Sequence, residues 1–125
     1  MDDRERAKRG ASADKMELTK QVTQDDMTLY SGPGNIHSDV EVAKRTGLEA
    51  PIAQGMQTLA YASELMTRVC GAAWLERGEI SVKFTKPVFA GDTVTVSSSE
   101  TDDGFAVEAR NQHGDLLMVG EARLR

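Results

Sequence analysis

The sequence predicts a single α+β domain in which a curved antiparallel sheet wraps one long central helix. Three observations carry that expectation. Residues 55–74 are apolar at helical spacing around most of the circumference, the pattern of a helix buried in a core. Four segments then alternate apolar and polar residues, or are rich in β-branched ones, at 79–88, 93–99, 105–111 and 116–124. A further alternating segment, MELTKQV at 16–22, precedes the helix.

Each element has a local cause. After the first strand, Thr23 offers a helix N-cap, with Asp25 and Asp26 in the first turn, where the helix dipole favours negative charge. Met27, Leu29 and Tyr30 follow on this short helix. Ser31-Gly32-Pro33-Gly34-Asn35 is composed only of turn formers and reads as a loop. Asp39 caps a second short helix at 40–46, and Gly47 stops it. Pro51 blocks any continuation. In the long helix Met56, Leu59, Ala60, Ser63, Met66, Thr67 and Cys70 recur every three or four residues, and Ala62, Leu65 and Val69 widen the apolar face. Gly91-Asp92, Asp103-Gly104 and His113-Gly114-Asp115 separate the later strands. Strands that follow one another on such tight turns pair antiparallel.

Composition narrows the function. A chain of 125 residues with 39% hydrophobic and 28% charged residues fits one globular domain. Residues 1–14 are polar, charged and small and are expected to be a disordered tail, leaving 15–125 as the domain. A net charge of −5 and a pI of about 5.0 argue against nucleic acid as partner. Arg4, Arg6, Lys8 and Arg9 are interleaved with Asp2, Asp3 and Glu5, which reads as a solvated segment. A single cysteine, Cys70, permits no intrachain disulfide and fits a reducing cytoplasm. No apolar stretch approaches the ~18 residues of a membrane helix, and no apolar core follows the N-terminal charges to form a signal peptide. CxxC and HExxH motifs are absent, so neither a metal nor another cofactor is expected.

The segment richest in chemistry is YSGPGNIHSDVEVA, residues 30–43. It sets His37 on a glycine-rich loop just before a helix cap. An ordinary imidazole titrates near ~6.5 and can serve as a base around neutrality. Asp39, two residues on, is read as the helix cap, and Asn35 can orient a ligand but cannot act as a base. His113 lies in a polar turn and is expected to be exposed. Cys70 is read as core, Trp74 and Tyr61 as core ahead of pocket lining, and Lys83 and Lys86 as solvent-facing lysines ahead of ligand contacts.

Tyr30, Ser31-Gly32, Asn35-Ile36-His37 and Ala43 are the first members of an ordered pattern. Ala43-Lys44-x-x-Gly47-Leu48 and Pro51-Ile52-Ala53-x-Gly55-Met56 continue it, then Ile80-Ser81-Val82-Lys83-Phe84, Pro87-Val88-Phe89 and Gly91-Asp92-Thr93. This ordered set resembles the MaoC-like (R)-specific enoyl thioester hydratases, over residues 16–125. The resemblance implies a hotdog fold and a homodimer. It also implies a lyase that adds water to a 2-enoyl thioester or removes it from a 3-hydroxyacyl thioester, the acyl group carried by CoA or an acyl carrier protein. By the same resemblance His37 is the catalytic histidine and Gly55 supplies the backbone N–H that faces the thioester carbonyl. Ser63 lines the site and holds the catalytic pair, while Asn35, Gln54 and Met56 are substrate contacts.

The pattern also departs from the family. Its catalytic aspartate falls on Gly32, or on Pro33 if the shorter loop is gapped, and Gln54 stands where many members have histidine. His37 is therefore expected to be the sole acid/base side chain. Two other readings arise from that loss: a divergent biosynthetic cyclase or isomerase on a non-CoA substrate, and a non-catalytic hotdog partner subunit.

Overall fold

The computed structural model describes residues 15–125. The expected disordered tail lies outside the described residues. The chain runs β1 (Met16–Gln21), α1 (Gln24–Ser31), α2 (Val40–Arg45), α3 (Gly55–Cys70), α4 (Ala72–Arg77), β2 (Gly78–Phe84), β3 (Thr93–Thr101), β4 (Gly104–Arg110) and β5 (Leu116–Leu124). The strands form one five-stranded antiparallel sheet in the order β1-β3-β4-β5-β2.

The alternation seen in sequence becomes one inward face. Leu18 pairs with Val96, Val96 with Ala109, and Ala109 with Met118, and all four are buried. Phe105 and Val107 extend that face along β4. Ala62, Leu65, Met66 and Val69 of α3 pack into the same core cluster. Each fully buried Val, Leu, Met or Phe among them contributes roughly 1.5–3 kcal/mol. A sheet curled around one apolar helix is the hotdog arrangement that the sequence led us to expect. No helix among the described residues is long and apolar enough to cross a membrane.

Both short helices end as their sequences dictate. Thr23 Oγ1 accepts from the Asp26 N–H at 3.1 Å. Asp39 Oδ1 accepts from the N–H groups of Glu41 and Val42 at 2.9 and 3.2 Å. Asp39 is thus a helix cap, and losing it costs about 1 kcal/mol. At the end of α2, Gly47 has φ 91°. Its N–H bonds the Lys44 carbonyl, and the Leu48 N–H bonds that of Ala43, the paired closure that a left-handed glycine allows.

Apart from shifts of one residue at several ends, three boundaries differ from expectation. The long helix does not reach Trp74: it stops at Cys70, and a separate turn of helix, α4, carries Trp74. Gly71 at φ 66° makes the break. The apolar pattern runs on through Ala73 and Trp74 because both are buried, so periodicity alone could not see it. The strand expected over 79–88 spans Gly78–Phe84. Beyond it lies Pro87, which has no N–H for a ladder, and Phe89 pairs only through an isolated bridge with Ile52. At the β3–β4 turn, Thr101 pairs with Gly104. The two turn residues are therefore Asp102 and Asp103, and Gly104 opens the strand.

Candidate active site

His37 lies on the loop between α1 and α2, and its own backbone is pinned on both sides. Its N–H donates to Asn35 Oδ1 at 2.9 Å, and its carbonyl accepts from Gln24 Nε2 at 2.9 Å. Its ring Nδ1 lies 2.7 Å from the Ile52 carbonyl oxygen. A carbonyl only accepts, so Nδ1 carries a proton, and in the uncharged ring this tautomer leaves the lone pair at Nε2. That nitrogen is the one polar atom of His37 without a partner among the described residues.

Asn35 organises the loop from within. Its Nδ2 donates to the carbonyls of Ser31 at 2.9 Å and Gly32 at 3.3 Å, while Oδ1 takes the His37 N–H. Its carbonyl accepts from the N–H groups of Ser38 and Asp39. Asn35 thus spends its side chain on the loop that holds His37.

Ile52 joins this loop to the start of α3. Its N–H donates to the Ile36 carbonyl at 3.1 Å, and the next N–H, of Ala53, donates to Val88 at 2.8 Å. Gly55 follows Ile52 by three residues, at most about 10 Å of chain even if fully extended. The imidazole is therefore bonded to the segment that leads, three residues on, into the N-terminus of α3. The N–H groups of Gly55 and Met56, first in the helix, have no carbonyl a turn behind them and sit at the positive end of its dipole. Gln54 is the N-cap residue, yet its side chain makes no capping bond.

Gly55 is small because of what lies over it. A Cβ at this position would stand 2.8 Å from Cε2 and Cζ of Phe84. Its backbone is not in the left-handed region, so close approach and not conformational freedom explains the glycine. Phe84 is 47% exposed and Met56 54% exposed, leaving an open apolar rim beside the helix start.

Ser63 has another partner than the His37 loop. Its Oγ accepts from the Trp74 indole N–H at 2.9 Å, and it stands eight residues, about 12 Å, along the axis from Gly55. The structure thus sets Gln54, Gly55 and Met56 at the start of α3, bonds the loop of His37 and Asn35 to the preceding segment through Ile52, and ties Ser63 to α4. Sequence reasoning missed Gln24, the Ile52 carbonyl and Phe84. Ile52 and Phe84 lay within the family pattern, but nothing in a linear sequence marks Gln24.

Two surface concavities lie elsewhere. A cleft of about 550 Å³ is lined by residues including Glu49, Lys86, Asp92, His113 and Asp115. Within it, the hydrogen bond from Asn111 and the charge of Lys86 hold the Asp115 carboxyl below its ordinary range. A depression of about 1040 Å³ runs over the ends of β2, β4 and β5 between Glu79, Asp103 and Arg123. Neither includes His37 or Gly55, so depth alone would point away from the imidazole.

The model of the MaoC like domain matches residues 8–115. This chain belongs to the MaoC-like dehydratase family. Family membership places it among hydratase and dehydratase enzymes. Among solved structures it is similar to the R-hydratase PhaJ1 from Pseudomonas aeruginosa, with 27% identity, a TM-score of 0.74, and 86% of this chain and 76% of that one covered. The (R)-hydratase from A. caviae involved in PHA biosynthesis shares 25% identity at a TM-score of 0.69, over 89% and 94% of the two chains. A monoamine oxidase regulatory protein from Archaeoglobus shares 30% identity at 0.71, over 89% and 87%. No match was found among curated proteins.

Proposed function

We propose that this MaoC-like chain adds water to a 2-enoyl thioester, or removes it from a 3-hydroxyacyl thioester, with His37 as its only proton-transfer side chain. The observation that carries this reading is the bonding of His37. Its N–H, carbonyl and Nδ1 are each engaged, and Nε2 is left as an unshared base. The likeness to the two (R)-hydratases supports the reaction type.

The chemistry balances on one imidazole. Nε2 takes a proton from water as the water oxygen bonds C3 of the enoyl group. The double-bond electrons move toward C2 and the thioester oxygen, giving an enolate. The Gly55 N–H and the dipole of α3 stabilise that oxygen. The Nε2 proton then passes to C2, and neutral His37 returns. Dehydration runs the same steps backward, so one base must also serve as the acid. The site lacks a carboxylate at Gly32 and Pro33, and Asp39 is spent on capping α2. Gln54, with its side chain free of capping, and Met56 are the substrate contacts in this reading. Asn35 holds the loop, and Ser63 holds Trp74.

The acyl carrier is CoA or an acyl carrier protein. The test is hydration of a panel of 2-enoyl thioesters on both carriers, monitored by loss of the enoyl absorbance. Turnover on at least one is expected. No turnover on any, by folded protein, overturns the reading and favours the non-catalytic partner subunit.

The same reading includes a homodimer. β2 is an edge strand, and Phe84 at its end lies against Gly55 with Met56 beside it. An open edge flanked by exposed apolar side chains calls for a partner strand. A second copy joined along β2 closes the site's open rim. Light scattering should give twice 13.6 kDa at micromolar concentration; a 13.6 kDa species would overturn the dimer.

A further inference from the structure

We infer that Gln24 is a positioning residue for His37, holding the imidazole where a single base can work; this rests on the one-histidine hydratase reading above. Gln24 is the first residue of α1, but its amide does not serve that helix's backbone. Nε2 reaches the His37 carbonyl, thirteen residues away, at 2.9 Å, and Thr28 Oγ1 at 3.2 Å. Both amide hydrogens are thereby used. The reverse orientation would set the amide oxygen against a carbonyl oxygen, two acceptors face to face, so the donor must point at His37. Gln24 and Thr28 are both half-buried, which shields the pair of bonds from water.

The loop needs such a tether. It is built on Gly32 and Gly34 at φ 77° and 79°, residues with wide backbone freedom. Asn35 braces the loop only from inside. Among the described residues, two groups outside it reach His37: the Ile52 carbonyl, which fixes the ring, and Gln24, which fixes the backbone that carries the ring. The anchor point is itself firm, because Thr23 caps α1 at the adjacent residue and Met27 of the same helix is fully buried. With Gly32 and Pro33 where the family has a carboxylate, the aim of Nε2 rests on these two bonds. A misplacement of about 1 Å can cost up to ~10²-fold in rate.

The test uses Gln24→Met, which keeps length and bulk but cannot donate. On a thioester that the parent protein hydrates, kcat should fall about ten- to a hundredfold with KM unchanged. A second readout does not depend on turnover. The chain has two histidines, so His113→Asn leaves His37 as the sole imidazole for ring-nitrogen NMR. The parent should show one neutral tautomer, protonated at Nδ1, and Gln24→Met should shift it toward a mixture. Unchanged kcat with unchanged ring signals overturns the proposal. So does lowered thermal stability with normal kcat per folded molecule and the parent tautomer. If the parent hydrates no thioester but Gln24→Met still shifts the ring signals, the tether stands and the hydratase reading fails.

Discussion

Replacing His37 with alanine should lower turnover by ~10²–10⁴-fold, the usual weight of a general acid/base, and leave the protein folded. The loss falls on kcat, because the imidazole is needed in the transition state more than for binding. The fold survives because the backbone bonds at residue 37 do not involve the ring: Asn35 Oδ1 still receives the N–H, and Gln24 still reaches the carbonyl. Only the Nδ1 bond to Ile52 disappears, at a cost of about 0.5–1.5 kcal/mol. Steady-state kinetics with circular dichroism on the same preparation checks both halves. Full turnover by His37→Ala would remove the imidazole from the chemistry.

Gly55→Val is the second large effect expected. The new Cβ enters the space of the Phe84 ring, 2.8 Å from two of its carbons. That ring is half-exposed at a strand end, so it can swing aside and the fold can hold. The substrate carbonyl has no such freedom, since it must come within hydrogen-bonding distance of the Gly55 N–H. A branched side chain and a displaced ring both stand in its way. Losing one oxyanion donor costs ~10²–10³-fold in kcat, and that is the loss to expect at unchanged far-ultraviolet dichroism. Unimpaired Gly55→Val would mean that the oxyanion is held by another group.

Much of the fold and part of the site were legible in the sequence. Period-two alternation located all five strands because one face of each packs on a single core, with buried residues in β1, β3, β4 and β5 and the half-buried Ile80 and Val82 in β2. The caps at Thr23 and Asp39 and the stop at Gly47 were legible because capping is settled within a few residues. His37 stood out through its glycine-rich loop and the ordered pattern around it. What stayed hidden needed tertiary contacts. The break at Gly71 was obscured by an apolar run shared by two helices. Strand order places β1 and β2 on opposite edges, and hairpin turns say nothing of either. The bond from Trp74 to Ser63 joins two helices, and that from Gln24 to His37 spans α1 and its following loop. In each case the residue type allowed several partners, and the fold chose one. Asn35 shows the same limit: its carboxamide suited a substrate, but the loop uses its donors and its acceptor.

The central claim is that one imidazole performs the proton transfers alone. Its most direct test is the pH dependence of kcat/KM for hydration, in the parent and in Asp39→Asn, whose side chain still caps α2. A single base gives a rate that rises with pH through one ionisation to a plateau, with the two proteins superimposed. A bell-shaped profile, or a folded but inactive Asp39→Asn, would contradict the claim by showing a second acid/base group.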